Sequence, residues 1–219
     1  KVYKNENKNK HFKEEDTLGG KDIYSTSKVI CEHLAESYRN IHLDNDKILE
    51  VVRLGNVVGG GDYSVNRLIP DLMRSFLNKK TFEVRYPQAT RPFQHVIDVC
   101  HGIYSILMNN PLHNEENYRG DCWNLGPKDN TFMIVGDVIE LFTKVFHLND
   151  IQPRKNSLPE DILLAVDNTK YKNVFGNPLY DSKQAVTEAI NWYKKVVYDK
   201  LSPWDLALED TISFMQKTK

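Results

Sequence analysis

Residues 21–39, KDIYSTSKVICEHLAESYR, and residues 48–56, ILEVVRLGN, decide the fold. Val29, Ile30, His33, Leu34, Ser37 and Tyr38 recur near one stripe at helical spacing, which predicts a helix over residues 25–39. Asp22 stands where a cap is needed. Residues 48–54 form a short β-branched run, the pattern of a buried strand. The run stops at Gly55, and Gly59-Gly60-Gly61 beyond it reads as a tight turn, because its spacing matches no phosphate loop.

Working outward, residues 4–21 are polar, end in Gly19-Gly20 and predict an exposed loop, with Glu14, Glu15 and Asp16 as a solvated run. Downstream, helices are predicted over 68–77, 98–108, 134–147, 182–198 and 203–215. Pro70 is compatible with the first of these in its opening turn. Strands are predicted over 82–86, 93–96, 122–125 and 163–166. Trp192, Tyr193, Trp204 and Phe214 fall at helical spacing and read as core. His95 and His101 read as packing residues, and Asp167 as a cap for the helix that follows its strand. Strands alternating with helices give an α/β architecture. Residues 1–62 look like the end of a doubly wound sheet, and residues 63–219 mainly like a smaller mixed α/β lobe with some segments returning to the sheet.

Bulk composition excludes several classes. Hydrophobic residues make up 40% of the 219 and charged residues 27%, ordinary for a globular chain. The net charge of −1 argues against a general nucleic-acid binder. Cys31, Cys100 and Cys122 are far apart, odd in number and without a CxxC or Cys/His cluster, so no metal site is expected and the thiols read as reduced, in a cytoplasmic protein. No apolar run approaches the ~18 residues of a membrane span. The chain opens on Lys1 inside a motif-like segment, which raises the expectation of an upstream part, missing or encoded separately.

Tyr24-Ser-Thr-Ser-Lys28 has the spacing YxxxK. On a helix the two side chains share a face. An ammonium beside a phenol stabilises the phenolate, and a phenol so tuned can take a proton from an alcohol while hydride leaves the same carbon.

Context sharpens this pattern. Lys1-Val-Tyr-Lys-Asn5, Leu18-Gly-Gly-Lys-Asp22-Ile-Tyr24-Ser-Thr-Ser-Lys28, Gly55-Asn56-Val-Val-Gly-Gly-Gly-Asp62, Arg67-Leu-Ile-Pro-Asp71 and Arg91-Pro-Phe-Gln-His95 stand in this order. Together they resemble the extended short-chain dehydrogenase/reductase family of nucleotide-sugar epimerases and dehydratases, and within it the branch that dehydrates CDP-linked glucose. Ile23 replaces a usual Pro, and Phe93 a usual Trp. The resemblance implies a partial NAD-binding Rossmann-like sheet with a nucleotide-sugar lobe, and NAD as cofactor. It implies that Tyr24 is the catalytic Tyr and that Lys28 is its partner, also touching the nicotinamide ribose. Lys1 falls at the last position of a Ser/Thr-Asp-Lys run, a group for the dehydration step. Asn56 would contact the CDP-sugar substrate and Arg91 its pyrophosphate, with Arg67 a further candidate and Arg53 in reserve.

The family's glycine-rich strand–turn–helix, which carries the NAD pyrophosphate, is not in this sequence. An upstream chain supplying it is therefore an expected partner. The resemblance also implies a homodimer, in which the helix carrying Tyr24 packs into a bundle between subunits through Ile30, Leu34 and Tyr38. Two alternatives stay open: a nucleotide-sugar 4-epimerase, and an inactive remnant or binding subunit that keeps a CDP-sugar pocket.

Overall fold

The computed structural model of the protein describes residues 1–6, 10–41, 47–154 and 161–218. Its elements run α1 (Ile23–Ile41), β1 (Val51–Leu54), β2 (Asn56–Val58), α2 (Leu68–Leu77), β3 (Phe82–Val84), β4 (Thr90–Arg91), β5 (Phe93–His95), α3 (Val96–Asn109), β6 (Cys122–Leu125), β7 (Met133–Ile134), α4 (Val135–Phe146), β8 (Ile151–Pro153), α5 (Thr169–Phe175), α6 (Ser182–Val197) and α7 (Pro203–Lys217). β1 pairs in parallel with β6, β2 with β5 and β3 with β8, while β4 and β7 are antiparallel. Parallel pairs need long crossovers, and helices fill them, so the chain is an α/β protein.

Two apolar clusters hold these layers. Leu72, Phe142, Phe146, Val186 and Tyr193 bring α2, α4 and α6 together with almost no exposed surface. Ile106, Trp123, Leu125 and Tyr171 form the second cluster, between α3, β6 and α5. At the start of β1, Glu50 accepts hydrogen bonds from Asn110 Nδ2 (2.9 Å), Tyr118 Oη (2.8 Å), the Asp121 N–H (2.8 Å) and Trp123 Nε1 (2.9 Å), with the His113 ring at 3.0 Å. This buried carboxylate fastens the segment between α3 and β6 to the first strand, and its many partners offset the cost of burying its charge.

Gly60 and Gly61 make the turn after β2. Gly60 lies so close to the Trp192 ring that a Cβ there would overlap it, and Gly61 has φ +77°, a conformation glycine adopts freely. The Tyr193 hydroxyl donates to the Asp62 carbonyl, so α6 holds the turn from both sides.

The structure departs from the sequence expectations in three places. Residues 163–166 form no strand: Leu163 and Val166 make single bridges to Thr90 and Phe12. Their partners are a two-residue strand and a loop, too short for a ladder. The segment around residue 12 is not a free loop either. Phe12 is buried against Tyr3, and the Glu14 carboxylate accepts the Asn124 N–H at 2.7 Å. A donor on β6 left over by its pairing with β1 thus recruits the carboxylate, and burial pushes the Glu14 pKa up. Finally, Trp204 is 77% exposed, because α7 turns Leu206 and Phe214 inward instead. Trp192, Tyr193 and Phe214 are core, as expected.

His95 is buried, and its Nδ1 accepts the Ile97 N–H at 3.3 Å, capping α3. Burial alone pushes its pKa down from 6.5 to about 4. The folded state therefore refuses a proton that the unfolded chain accepts. The sign follows from linkage: this contribution is complete above the unfolded value and is lost as pH falls towards the folded one. Unfolding free energy is expected to drop by about 2 kcal/mol from this group between pH 7 and pH 5. Urea titrations at the two pH values check it. His95→Asn keeps a capping acceptor and should flatten that part of the slope.

Candidate active site

A cleft of about 1080 Å³ runs between α1, the junction of β1 and β2 at Gly55, the first residues of the chain and residues 161–166. Lys1, Tyr24, Lys28, Asn56, Arg67 and Arg91 all line it. Five separate segments thus bring every proposed site residue to one space.

α1 begins at Asp22, which caps it as the sequence suggested. The Ser25 N–H donates to Asp22 Oδ1 at 2.8 Å, and the Asp22 N–H donates back to Ser25 Oγ at 3.2 Å. The Ser25 N–H, foremost, holds the Asp22 pKa down. This reciprocal bonding satisfies helix-end donors and fixes where the first turn starts. Tyr24 is therefore in the first turn, 61% exposed, with Lys28 one turn on. Lys28 Nζ lies 5.5 Å from the centre of the Tyr24 ring. No carboxylate pairs with Lys28 among the described residues, so its ammonium faces the cleft with donors to offer.

Lys1 faces two carboxylates, with Nζ 3.8 Å from Asp22 Oδ2 and 3.9 Å from Asp161 Oδ2. Asp161 also lines the cleft. Asn56 opens β2 opposite Phe93, and its N–H is taken by the Pro92 carbonyl at 2.9 Å, leaving the side chain at the cleft wall. Arg67, at the start of α2, is exposed on the rim. Arg91 is 5% exposed. Its Nη1 donates to the Thr90 carbonyl at 2.7 Å and the Ile162 carbonyl at 3.3 Å, which sets its guanidinium at the cleft floor.

Arg53 is not in reserve for a phosphate. Its Nε and Nη2 donate to the two oxygens of Glu32 at 2.8 and 2.9 Å, and its Nη1 to Tyr3 Oη and the Glu14 carbonyl, both at 2.9 Å. Burial opposes its charge, but the bonds to Glu32 and Tyr3 outweigh that and raise its pKa. The Tyr3 hydroxyl passes the network on to Asn124 Oδ1 at 2.5 Å, and burial pushes its pKa up to about 12. Asp167 stands outside the cleft lining and accepts the Thr169 N–H at 2.8 Å at the head of α5, the capping reading.

The sequence reading passed over Glu32, Tyr3 and Asp161. Glu32 had a signal, since it lies one turn beyond Lys28 on the same helix face. Asp161 had none, being 160 positions from the lysine it meets.

Residues 1–126 match the family described as NAD dependent epimerase/dehydratase. A CDP-glucose 4,6-dehydratase of Salmonella typhimurium is 30% identical over 192 residues, which cover 84% of this chain and 53% of that protein. The chain thus spans about half the length of this relative. A dTDP-glucose 4,6-dehydratase from Bacillus anthracis, solved in complex with NAD, superposes with a TM-score of 0.70 at 25% identity over 86% of this chain and 57% of its own. A UDP-glucuronic acid 4-epimerase from Bacillus cereus, solved with UDP-glucuronic acid and NAD, gives a TM-score of 0.73 at 18% identity over 90% and 59%, a likeness of fold. Among the described residues, no helix is long and apolar enough to cross a membrane.

Proposed function

Because the chain belongs to the NAD-dependent epimerase/dehydratase family, we propose that it serves the conversion of CDP-glucose to CDP-4-keto-6-deoxyglucose with loss of water. The observation that carries this reading is the convergence of Lys1, Tyr24, Lys28, Asn56, Arg67 and Arg91 on one cleft.

The residues present fit one end of NAD. Lys28, a cation without a carboxylate partner among the described residues and facing the cleft, suits ribose hydroxyls, and Tyr24 stands beside it. When bound, NAD supplies the acceptor for a hydride from the sugar and later its donor. The chain's own residues handle the protons. The phenolate form of Tyr24, held by the Lys28 ammonium through Coulomb attraction, takes the proton from the 4-hydroxyl of the sugar and becomes the phenol. The 4-keto group then acidifies the hydrogen on the neighbouring carbon. We assign to Lys1, with Nζ 3.8 Å from Asp22 and 3.9 Å from Asp161, the passage of that proton to the hydroxyl leaving carbon 6, so that water is lost. Asn56 and Arg67 hold the sugar nucleotide, and the Arg91 guanidinium faces the pyrophosphate, whose paired oxygens match its fork.

Incubating the protein, joined by the segment expected to supply the glycine-rich NAD site, with CDP-glucose and NAD tests this reading by product mass. A product lighter by one water supports it. An isomer of unchanged mass would instead mean epimerisation, the reading the fold likeness to 4-epimerases also supports. Tight CDP-sugar binding without any product would mean a binding protein.

Assembly follows from α1. Ile30, Leu34 and Tyr38 form a stripe along it and are 53%, 63% and 54% exposed. An apolar stripe of this kind seeks cover, and we propose a second copy of the chain. Light scattering is expected to give a mass above the 25.4 kDa of one chain, and Leu34→Glu should return it to that value. A monomer insensitive to Leu34→Glu rejects the assembly.

A further inference from the structure

Tyr24, Lys28 and Glu32 stand at i, i+4 and i+8 of α1 and so share one face. The helix that carries them is held in an unusual way. Its buried residues are Ser25 and Glu32, a hydroxyl and a carboxylate, while its long apolar side chains point outward. Apolar packing, the usual means of fixing a helix against a sheet, therefore does little to set how α1 is rotated. Two polar anchors do it instead. At the far end, Arg39 Nη1 donates to the Gly120 carbonyl at 2.8 Å. In the middle, both oxygens of Glu32 meet the Arg53 fork on β1 at 2.8 and 2.9 Å, each side chain 7% exposed.

A fork-to-fork contact fixes orientation as well as distance, because two parallel hydrogen bonds cannot both survive a rotation. The same guanidinium lies 5.0 Å over the Tyr3 ring and donates to its hydroxyl, two residues from Lys1. One side chain on β1 is thus the common reference for the segment bearing Lys1 and the helix bearing Tyr24 and Lys28. A buried ion pair adds little net stability when weighed against apolar residues of the same size. What it adds here is a fixed direction.

We propose that Glu32 and Arg53 are positioning residues: their pairing sets the rotation and height of α1, and with them the direction in which Tyr24 and Lys28 face the cleft. Both line the cleft, but their charged groups are engaged with each other, so they act on it through the helix they hold. The proposal rests on the reading above only where turnover is concerned.

The test places 3-fluorotyrosine at position 24 and follows its fluorine resonance, which needs no catalysis. Arg53→Lys keeps the charge and loses the fork, and Glu32→Gln keeps the shape and loses the charge. Both are expected to shift or broaden the Tyr24 signal. The double change Glu32→Leu with Arg53→Met removes both buried charges, so the fold is retained, and the signal should still be altered at a melting temperature near that of the parent. Leu72→Ala, which opens a cavity in the other cluster, lowers the melting temperature and should leave the signal alone. In turnover of CDP-glucose, Arg53→Lys should lower kcat about 10- to 100-fold with KM changed less than about threefold, the signature of a misplaced group. An unmoved signal in the double variant overturns the proposal, as does an equal shift in Leu72→Ala. If no variant or parent turns over CDP-glucose with the NAD-binding segment supplied, the reaction assignment fails while the fluorine signal still decides the positioning.

Discussion

In the enzyme completed by its NAD-binding segment, Tyr24→Phe is expected to lower turnover by about 10²–10⁴-fold while leaving CDP-sugar affinity within about twofold. The change removes one hydroxyl from a ring that is 61% exposed, so no buried contact is lost and no cavity opens. The ring itself stays, and with it the Lys28 ammonium 5.5 Å from its centre. Arg91 and Asn56, which would hold the nucleotide, belong to other segments and keep their supports. The hydroxyl matters at one moment, when the proton leaves the sugar alcohol, so its loss appears in kcat and not in binding. Single-turnover kinetics with calorimetry separate the two. A variant that keeps kcat within a factor of about ten would remove Tyr24 as the proton acceptor, since general acid–base catalysis is worth more than that.

Arg91→Ala is expected to weaken CDP binding by about 2–4 kcal/mol, roughly 30- to 900-fold, through loss of a charge-assisted contact to a shielded pyrophosphate. The side chain is 5% exposed, so water screens it little. Its bonds to the carbonyls of Thr90 and Ile162 aim it and use part of its donor set. They also mean that truncation loosens the cleft floor, which must be told apart from a lost phosphate contact. Comparing CDP with cytidine does so: a phosphate contact costs CDP affinity and spares cytidine, whereas a loosened floor weakens both. Arg67→Ala should cost less than Arg91→Ala, because Arg67 is exposed on the rim. If calorimetry shows unchanged CDP affinity in Arg91→Ala, the phosphate site lies elsewhere, and Arg53, occupied by Glu32, is not its replacement.

Much of this was legible in the sequence, and the residues show why. α1, α2, α4, α6 and α7 have apolar residues at helical spacing over ten or more positions, long enough for periodicity to speak. β1 is a β-branched run that stops at Gly55, and β5 and β6 are short segments around Phe93 and Trp123, the second stopping at Gly126. By contrast β4 and β7 have two residues each and exist because Arg91 and Met133 happen to face one another. No local pattern encodes such a pair. The cleft residues were legible one at a time from spacing and from resemblance, but their company was not. Glu14 read as solvated because its sequence neighbours are charged, yet the Asn124 N–H, 110 positions away, draws it in. Arg53 read as a spare phosphate ligand because its partner Glu32 lies on a different element. Long-range polar pairing decides these roles, and it leaves no periodic trace.

The contact between Gly60 and the Trp192 ring bears on how this chain can change over time. Any side chain at position 60 would displace an indole from the helical cluster that organises the far half of the chain. The turn at the cleft mouth is therefore closed to substitution there, however useful a new group at that spot would be for recognising a different sugar. Variation in selectivity has to enter through neighbours with room, such as Arg67, exposed on the same rim in extended backbone that most residues adopt. A library randomised at position 60 should return mostly unfolded chains, whereas one randomised at 67 should return folded proteins that differ in what they hold.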